Sequence, residues 1–249
     1  MIHPLRSPSR ERLLHALGDL ATGPRGGRVC LVIDADRTLA PQDTGRLVGR
    51  ATGVDTAIRA IFEARGYVEE AFSLVAEVWS GLRADHYLAQ VREVAGAVTI
   101  YAAWRTILSA ARGRVPVVVV TAGIPQAWRA ILDRLGHTEV PVVGGCHRDL
   151  DAYVVCPETK ARLVGVLQDA GWRVVAAGDS PIDLPMLRRA DVPLFVPDHN
   201  GSPALRAELH RVPGVRHLLV DERRFDGLAT WRPEDVVGLI HEGGSRDAG

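Results

Sequence analysis

The feature that most constrains the fold is a short apolar run that ends in two acidic residues. Val29 to Ile33 are apolar and rich in β-branched side chains, which is typical of a strand buried on both faces of a sheet. Asp34 and Asp36 follow almost at once. A desolvated carboxylate without a partner is costly, so this pair indicates a positive group nearby. The alternative is a strand that ends in an Asx-type turn with no chemical role.

Two further apolar runs also end in polar residues. Pro116 to Val120 leads into Thr121-Ala122-Gly123, and Arg173 to Ala177 leads into Gly178-Asp179-Ser180-Pro181-Ile182-Asp183. Between them, Lys160 opens an amphipathic segment. Because ligands bind at the carboxyl ends of the strands in a doubly wound sheet, we expect these residues at one site.

In their order and spacing, these four segments resemble the motifs of the haloacid dehalogenase superfamily, in its phosphoserine-phosphatase-like branch. The resemblance covers residues 28 to 220. It implies an α/β fold, a doubly wound parallel sheet with an inserted α-helical cap. Each motif alone is a weak signal, whereas four in order at predicted strand ends are a specific one.

The segment between the first two predicted strands is too long for a simple crossover. Asp43 to Ala111 has mainly helical periodicity. By resemblance this block is the helical cap, which closes over the strand ends and selects the substrate. We therefore divide the chain into a catalytic core, residues 1–42 and 105–249, and a cap, residues 43–104.

Outside the motifs, apolar runs predict three further features of the core. Val140 to Gly145 and Tyr153 to Val155 are expected to form a small hairpin. Val192 to Val196 and Val215 to Val220 are expected to be the last two strands of the sheet.

The resemblance assigns the steps of phosphoryl transfer to specific residues. Asp34 would be the nucleophile that forms an aspartyl-phosphate. Asp36 would be the general acid for the leaving alcohol and then the base for water. Thr121, with the backbone N–H groups of Ala122 and Gly123, would hold the phosphoryl oxygens. Lys160 would neutralise charge on the phosphate and on Asp34.

The resemblance also implies a Mg²⁺ site, and an all-oxygen site suits this ion. Its ligands would be the Asp34 carboxylate, the Asp36 backbone carbonyl and the Asp179 carboxylate. Asp183 would hold a metal-bound water or position Asp179. Thr38 would orient the loop after the first strand.

Several arginines are candidates to contact an anionic part of the substrate. Arg37 stands where family members commonly have a small or polar residue, and we hypothesise that it contributes to substrate selection; the alternative is a side chain in solvent. In the cap, the alternative for each arginine is a solvated helix face. The cap candidates are Arg46, Arg50, Arg59, Arg65 and Arg83.

We expect a Mg²⁺-dependent phosphomonoester hydrolase that acts on a small phosphorylated metabolite. Phosphoserine, a sugar phosphate and a nucleoside monophosphate are all admissible, because the fold and its core motifs do not choose the leaving group. The alternatives are a phosphotransferase or phosphomutase, a non-catalytic binding module, and a dehalogenase, which the second acid, Asp36, disfavours.

Composition narrows the classes of partner. The 249 residues include 30 basic and 30 acidic ones, so we expect no general affinity for nucleic acid. No apolar run approaches the ~20 residues that span a bilayer, and Met1 to Gly27 show no signal-peptide core. Three cysteines without a Cys-x-x-Cys pair predict reduced thiols in a cytoplasmic protein. Apolar residues of the cap are a candidate surface for a homodimer.

Overall fold

The computed structural model describes residues 4–23, 29–197 and 203–244. Within these ranges, seven strands form one sheet in which every neighbouring pair is parallel. In chain order they are β1 Val29–Asp34, β2 Val117–Val120, β3 Val142–Val143, β4 Arg173–Gly178, β5 Val192–Phe195, β6 Arg216–Leu218 and β7 Ala229–Trp231. Their order across the sheet is β3-β2-β1-β4-β5-β6-β7.

The strand order creates a crevice beside β1. From β1 the chain adds β2 and β3 on one side, and then crosses over to add β4 and the later strands on the other. At such a reversal the connections at the carboxyl ends diverge and leave room for a ligand. The doubly wound parallel sheet is thereby confirmed. Asp34 and Gly178, the last residues of β1 and β4, lie at this crevice.

Helices account for most of the remaining described chain. Two are short 3₁₀ helices, Gly18–Thr22 and Pro181–Asp183. The α-helices are α1 Arg10–Leu17, α2 Thr44–Thr52, α3 Asp55–Arg65, α4 Glu69–Ser80, α5 Ala84–Ala97, α6 Ala102–Ala111, α7 Pro125–Arg134, α8 Pro157–Asp169, α9 Leu184–Arg189, α10 Pro203–Leu209 and α11 Pro233–Gly244.

Among the described residues, no single helix is long and apolar enough to cross a membrane. Helices α5 and α6 together have sufficient length and apolar composition, but they are bent by 97° relative to each other.

The central strand β1 is buried on both faces, as its sequence predicts. Leu31 and Ile33 pack into one apolar cluster, whereas Cys30 and Val32 pack into a second one. Alternate side chains of a strand point to opposite faces, so the two clusters lie on opposite sides of the sheet. Burial on both sides fixes the position of Asp34 at the end of the strand.

Helices α2 to α5 lie between β1 and β2 in the chain. Trp79 and Tyr87 from this group pack in one apolar cluster with Ile124 and Cys146 of the core. Helix α6 instead packs on the sheet cluster, through Trp104 and neighbouring side chains. The predicted boundary between residues 104 and 105 therefore falls inside α6. The division into core and cap stays a prediction.

The chain leaves the core for α2 and returns to it at neighbouring residues. The backbone N–H of Tyr101 donates to the carbonyl of Leu39 at 3.0 Å. The indole N–H of Trp104 donates to the carbonyl of Thr38 at 2.7 Å. The start of α6 thus anchors the loop that follows β1.

The segment before α1 connects two parts of the fold, and we call residues 5–8 the N-terminal strap. The hydroxyl of Ser73 in α4 donates to the carbonyl of Leu5. The guanidinium of Arg162 in α8 donates to the carbonyl of Pro8 at 2.7 Å. The N-terminal strap therefore joins α4 to the helix that carries Lys160.

The hairpin predicted for residues 140–145 and 153–155 is wrong. Val142–Val143 pairs in parallel with β2, and residues 153–155 contain no strand. The carboxylate of Asp151 accepts the backbone N–H groups of Cys146 at 2.7 Å and His147 at 2.8 Å. These bonds turn the chain away from β3, so a hairpin partner is not formed.

Candidate active site

Hydrogen bonds between its own backbone groups hold the loop after β1 in a compact turn. The N–H of Leu39 donates to the carbonyl of Ala35 at 2.8 Å, and the N–H of Arg37 donates to the carbonyl of Gln42 at 3.1 Å. Arg37 has a φ of 62°, the left-handed region that costs a residue with a Cβ about 1 kcal/mol. This turn places the side chains of Asp34 and Asp36 in the same cavity.

Lys160 lies in the first turn of α8 and is fully buried. Its ammonium donates to Asp34 Oδ1, and to Asp183 Oδ1 at 2.7 Å. Burial alone would lower the pKa of Lys160, but the carboxylates of Asp183 and Asp34 raise it above its usual value. Lys160 is therefore a fixed positive charge beside the predicted nucleophile.

Asp183 holds the end of β4 in place. Its Oδ2 accepts hydrogen bonds from the backbone N–H of Asp179 at 3.2 Å and from the hydroxyl of Ser180 at 2.8 Å. A Cβ at Gly178 would overlap the Asp183 side chain, so glycine is required for this close approach. Its other oxygen accepts a hydrogen bond from Lys160, so Asp183 connects Lys160 to the backbone of Asp179, and its role in a metal site stays a prediction.

Thr38 links the first and last motifs. Its hydroxyl lies 2.9 Å from Asp34 Oδ2 and 3.1 Å from Asp179 Oδ1. One hydroxyl proton can serve only one acceptor at a time, so Thr38 cannot compensate both negative charges. The two carboxylates are held close together with less positive charge than they need.

Three buried carboxylates form a cluster that fits a divalent cation. One oxygen from each of Asp34, Asp179 and Asp183 lies within 4.8 Å of the others. Burial and the nearby Asp183 raise the pKa of Asp34 to about 6, and burial followed by Asp34 raises the pKa of Asp179 well above its usual value. Among the described residues, the buried Asp179 Oδ2 accepts no hydrogen bond, although Arg37 Nε lies 3.4 Å from it. The excess negative charge and this oxygen suit a hard cation.

The cluster and the predicted ligand set share the carboxylates of Asp34 and Asp179. Asp183 joins Asp34 and Asp179, whereas the side chain of Asp36 is directed elsewhere. The role predicted for Asp36 involves its backbone carbonyl and is compatible with this arrangement. The identity of the ion as Mg²⁺ stays a prediction.

Asp36 is bonded to the start of α2. Its Oδ1 accepts the backbone N–H of Thr44 at 2.6 Å, and its Oδ2 lies 3.5 Å from Thr121 Oγ1. Burial, and then the nearby Asp43, raise the pKa of Asp36 to about 7. A carboxyl group with this pKa can exchange protons near neutral pH, which general acid–base chemistry requires.

Thr121 follows β2 and is buried at the cavity. Its backbone N–H donates to Val143 at 2.9 Å, which fixes it to the sheet. Its hydroxyl accepts the backbone N–H of Gly123 at 2.9 Å. The predicted phosphate donors Thr121, Ala122 and Gly123 all line the cavity, but the Gly123 N–H is bonded within the loop. Their binding of phosphate stays a prediction.

Arg37 lies beside the carboxylate cluster. Its Nε is 3.4 Å from Asp179 Oδ2, and its side chain is 35% exposed. The side chain also lines the cavity, where a substrate would meet it. Its predicted contribution to substrate selection stays a prediction.

The motif residues share a cavity of about 500 Å³ with residues of α2 to α4. This volume is in the range of sites that hold small molecules. Among the cap arginines named from the sequence, Arg46 and Arg59 line the cavity. Four aromatic residues of the wall belong to no motif, and helical periodicity alone does not distinguish a cavity wall from a core: Phe62, Tyr67, Phe72 and Trp79.

A sequence model of the haloacid dehalogenase-like hydrolases matches residues 31–188, more than half of the chain. The chain belongs to the haloacid dehalogenase-like hydrolase family. The predicted family is thereby confirmed, and with it the prediction of an enzyme of the haloacid dehalogenase type. No curated protein matches the chain significantly.

Solved structures share the haloacid dehalogenase-like fold at low sequence identity. Cytosolic 5′-nucleotidase IIIB bound to cytidine is 15% identical, with a TM-score of 0.60 over 96% of this chain and 93% of that chain. Phosphoserine phosphatase from T. onnurineus is 21% identical, with a TM-score of 0.53 over 87% and 96%. A hydrolase of the family from Salmonella enterica serovar Typhi is 18% identical, with a TM-score of 0.57 over 76% and 68%.

Proposed function

We propose that the protein is a Mg²⁺-dependent phosphomonoesterase that acts on a small phosphorylated metabolite through an aspartyl-phosphate. The observation that carries the proposal is the environment of Asp34. This carboxylate is held between Lys160 and Thr38 at the cavity, and a second carboxyl group, Asp36, lines the same cavity with a pKa near neutrality. A nucleophile, a fixed cation and a proton donor are the groups that this reaction needs.

In the first step, a carboxylate oxygen of Asp34 attacks phosphorus and the bond between phosphorus and the ester oxygen breaks. Asp36 gives its proton to the departing oxygen, so the alcohol leaves neutral. The product on the enzyme is an acyl phosphate at Asp34. Lys160 stabilises negative charge on the phosphoryl group throughout, because its ammonium is fixed beside Asp34.

In the second step, water attacks the phosphorus of the acyl phosphate. Asp36, now ionised, takes a proton from that water, and the bond between phosphorus and the Asp34 oxygen breaks. Inorganic phosphate leaves, and both carboxyl groups return to their starting states. Thr121 and the backbone N–H groups of Ala122 and Gly123 are the donors proposed to hold the phosphoryl oxygens.

Asp34 and Asp179 would hold the cation, with Asp183 supporting Asp179 and the Asp36 carbonyl completing the protein ligands. A bound divalent cation supplies the positive charge that lets a carboxylate approach an anionic phosphate. Mg²⁺ is the ion we propose, since carboxylate and carbonyl oxygens are the ligands it prefers.

Two comparisons support this choice of chemistry. Structures described as phosphoserine phosphatase and as a 5′-nucleotidase have the same fold, and the names of both refer to phosphate monoesters. The second acid, Asp36, favours phosphate chemistry over dehalogenation. The cytoplasmic location and a homodimer formed through the cap remain proposals.

The test is phosphate release from a panel of small phosphomonoesters, with and without Mg²⁺. We expect metal-dependent release by the wild type and none above background by Asp34→Asn. Asp169→Asn, which changes an exposed carboxylate in α8, is the matched control and should retain full activity. Release that continues in Asp34→Asn would contradict the proposal.

The same panel separates the alternatives. A phosphotransferase or phosphomutase would release little free phosphate with or without an acceptor alcohol; with the acceptor present it would turn over and pass the phosphoryl group to the acceptor. A binding module would show no turnover with any ester, although it would still bind metal and phosphate.

A further inference from the structure

Aromatic side chains from α3, α4 and the turn between them form one side of the cavity. We call Phe62, Tyr67, Phe72 and Trp79 the aromatic wall. The ring centroid of Phe62 lies 5.1 Å from that of Tyr67 and 5.0 Å from that of Phe72. Phe72 and Trp79 are buried, whereas Tyr67 is 46% exposed. The exposed ring of Tyr67 packs on the half-buried Phe62, which packs on the buried Phe72, and water covers this apolar surface unless a ligand does.

Two ion pairs lie on the same side of the cavity, and the exposed Arg46 lines it as well. Arg59 Nη2 lies 3.4 Å from Glu63 Oε1, and Arg50 Nε lies 3.8 Å from Asp55 Oδ2. The side chains of Arg59 and Glu63 are 58% and 69% exposed, so solvent screens them. Of the described residues from α2 to α4 that line the cavity, none with a charge is fully buried.

We propose that the substrate is a phosphomonoester whose alcohol carries a planar aromatic ring, which packs against the aromatic wall while its phosphate lies at Asp34. This inference rests on the proposed function and deepens it by naming the substrate class. An amino-acid leaving group would carry two charges to a side of the cavity whose charged groups are exposed and screened by solvent, whereas a planar ring gains from contact with the aromatic wall.

The size of the effect follows from the energetics of ring contacts. One aromatic contact is worth about 2- to 12-fold in kcat/KM. The ring can come from a nucleoside or from a simple aryl alcohol, since both present the same flat apolar face. The cavity of about 500 Å³ admits either of them.

The decisive comparison uses a nucleoside 5′-monophosphate and ribose 5-phosphate. The two esters share the sugar and the reacting phosphate and differ only in the base. We expect kcat/KM to be on the order of 10-fold or more higher for the nucleotide, as contact with more than one ring predicts. Phenyl phosphate and phosphoserine complete the panel: the first separates an aryl source of the ring from a nucleoside source, and the second represents a charged leaving group.

Variants locate the effect in the aromatic wall. Tyr67→Ala should reduce the preference for the nucleotide over ribose 5-phosphate by about 2- to 12-fold, and Tyr67→Phe should keep it, because the ring remains. Val68→Ala is the matched control: Val68 is the next residue, is 49% exposed and does not line the cavity. It should leave the preference unchanged.

Failure of the inference and failure of the proposed function give different results. If ribose 5-phosphate or phosphoserine is hydrolysed as efficiently as the nucleotide and phenyl phosphate, and the activity needs Asp34, the function stands and the inference is wrong. An equal loss of kcat/KM for the nucleotide and for ribose 5-phosphate in Tyr67→Ala would also overturn the inference.

If no ester is hydrolysed, the proposed function fails. Equilibrium binding of the nucleotide and of ribose 5-phosphate then still tests the aromatic wall, and equal affinities would refute the inference.

Discussion

Asp36 has the environment of a group that must both give and take a proton. The N–H of Thr44 holds one carboxyl oxygen, and burial raises the pKa to about 7. The protonated fraction falls as the pH rises through this value. Donation to a leaving alcohol is therefore favoured below about pH 7, and removal of a proton from water is favoured above it.

Replacement of Asp36 by Asn should separate the two steps. With 4-nitrophenyl phosphate, whose leaving group needs no proton, Asp36→Asn should release about one equivalent of nitrophenol per active site and then stall. Loss of the base slows the second step by roughly 10²–10⁴-fold. With alkyl phosphates, the variant should show no burst. Rapid-quench or stopped-flow measurement checks both results, and steady turnover equal to that of wild type would show that Asp36 is not the acid–base group.

The polar residues of the site could be predicted one by one, but their contacts could not. Asp34, Lys160 and Asp179 follow from motifs at predicted strand ends, and the structure brings them together. That the Thr38 hydroxyl lies between Asp34 and Asp179 depends on a contact across 141 residues. The two oxygens of Asp183 bond Lys160 and the Asp179 N–H, and this arrangement depends on the close approach of the Asp183 side chain to Gly178. Motif spacing carries no information about either distance.

At the scale of elements, α6 is bonded to the loop that carries the proposed catalytic carboxylates. The indole of Trp104 is buried and donates to the carbonyl of Thr38, the residue that touches both Asp34 and Asp179. Trp128 in α7 is equally buried, yet its indole N–H has no hydrogen-bond partner among the described residues. The two tryptophans provide a matched pair of changes.

Trp104→Phe should lower the free energy of unfolding by about 1–3 kcal/mol more than Trp128→Phe does. Both changes remove similar volume, but only the first leaves a buried carbonyl without its donor. Trp104→Phe should also lower kcat, because the loop after β1 loses an anchor. Chemical denaturation and steady-state kinetics of both variants check this. Equal losses in the two variants would mean that the hydrogen bond to Thr38 is unimportant.

The strands show where sequence patterns are informative. Strands β1, β2, β4 and β5 are buried apolar runs, so periodicity predicts them. Strand β7, Ala229–Trp231, is missed because it lies at the sheet edge and is largely exposed. The hairpin predicted around residues 147–151 fails because an apolar run does not specify the direction of its partner, which the Asp151 turn decides here.

For the whole molecule, we expect the N-terminal strap to restrain the movement of α4 relative to α8. It bonds to Ser73 in α4 and to Arg162 in α8. Helix α4 contributes Phe72 and Trp79 to the cavity, and α8 contributes Lys160. Movement of one helix relative to the other would therefore change the shape of the cavity.

Deletion of residues 1–8 should loosen α4 without unfolding the sheet, and it leaves Ser9 to cap α1. Amide hydrogen exchange in α4 should become roughly 10-fold faster or more, which corresponds to about 1.4 kcal/mol lost from local stability. KM should rise because the cavity is less well formed. Hydrogen exchange followed by mass spectrometry checks this, with the β1 and β2 amides as internal controls. Unchanged exchange in α4 would show that the strap carries no such restraint.

The hydrogen bond from the Tyr101 N–H to the Leu39 carbonyl affects how the segment between them can change during evolution. Because the chain departs from the core and rejoins it at adjacent points, the length of what lies between is independent of the spacing of β1 and β2. Segments of other sizes can be exchanged there at a small entropic cost, since closure entropy grows only slowly with loop length. A lineage can thus acquire new substrates by replacing this one insertion while the reacting groups are inherited intact.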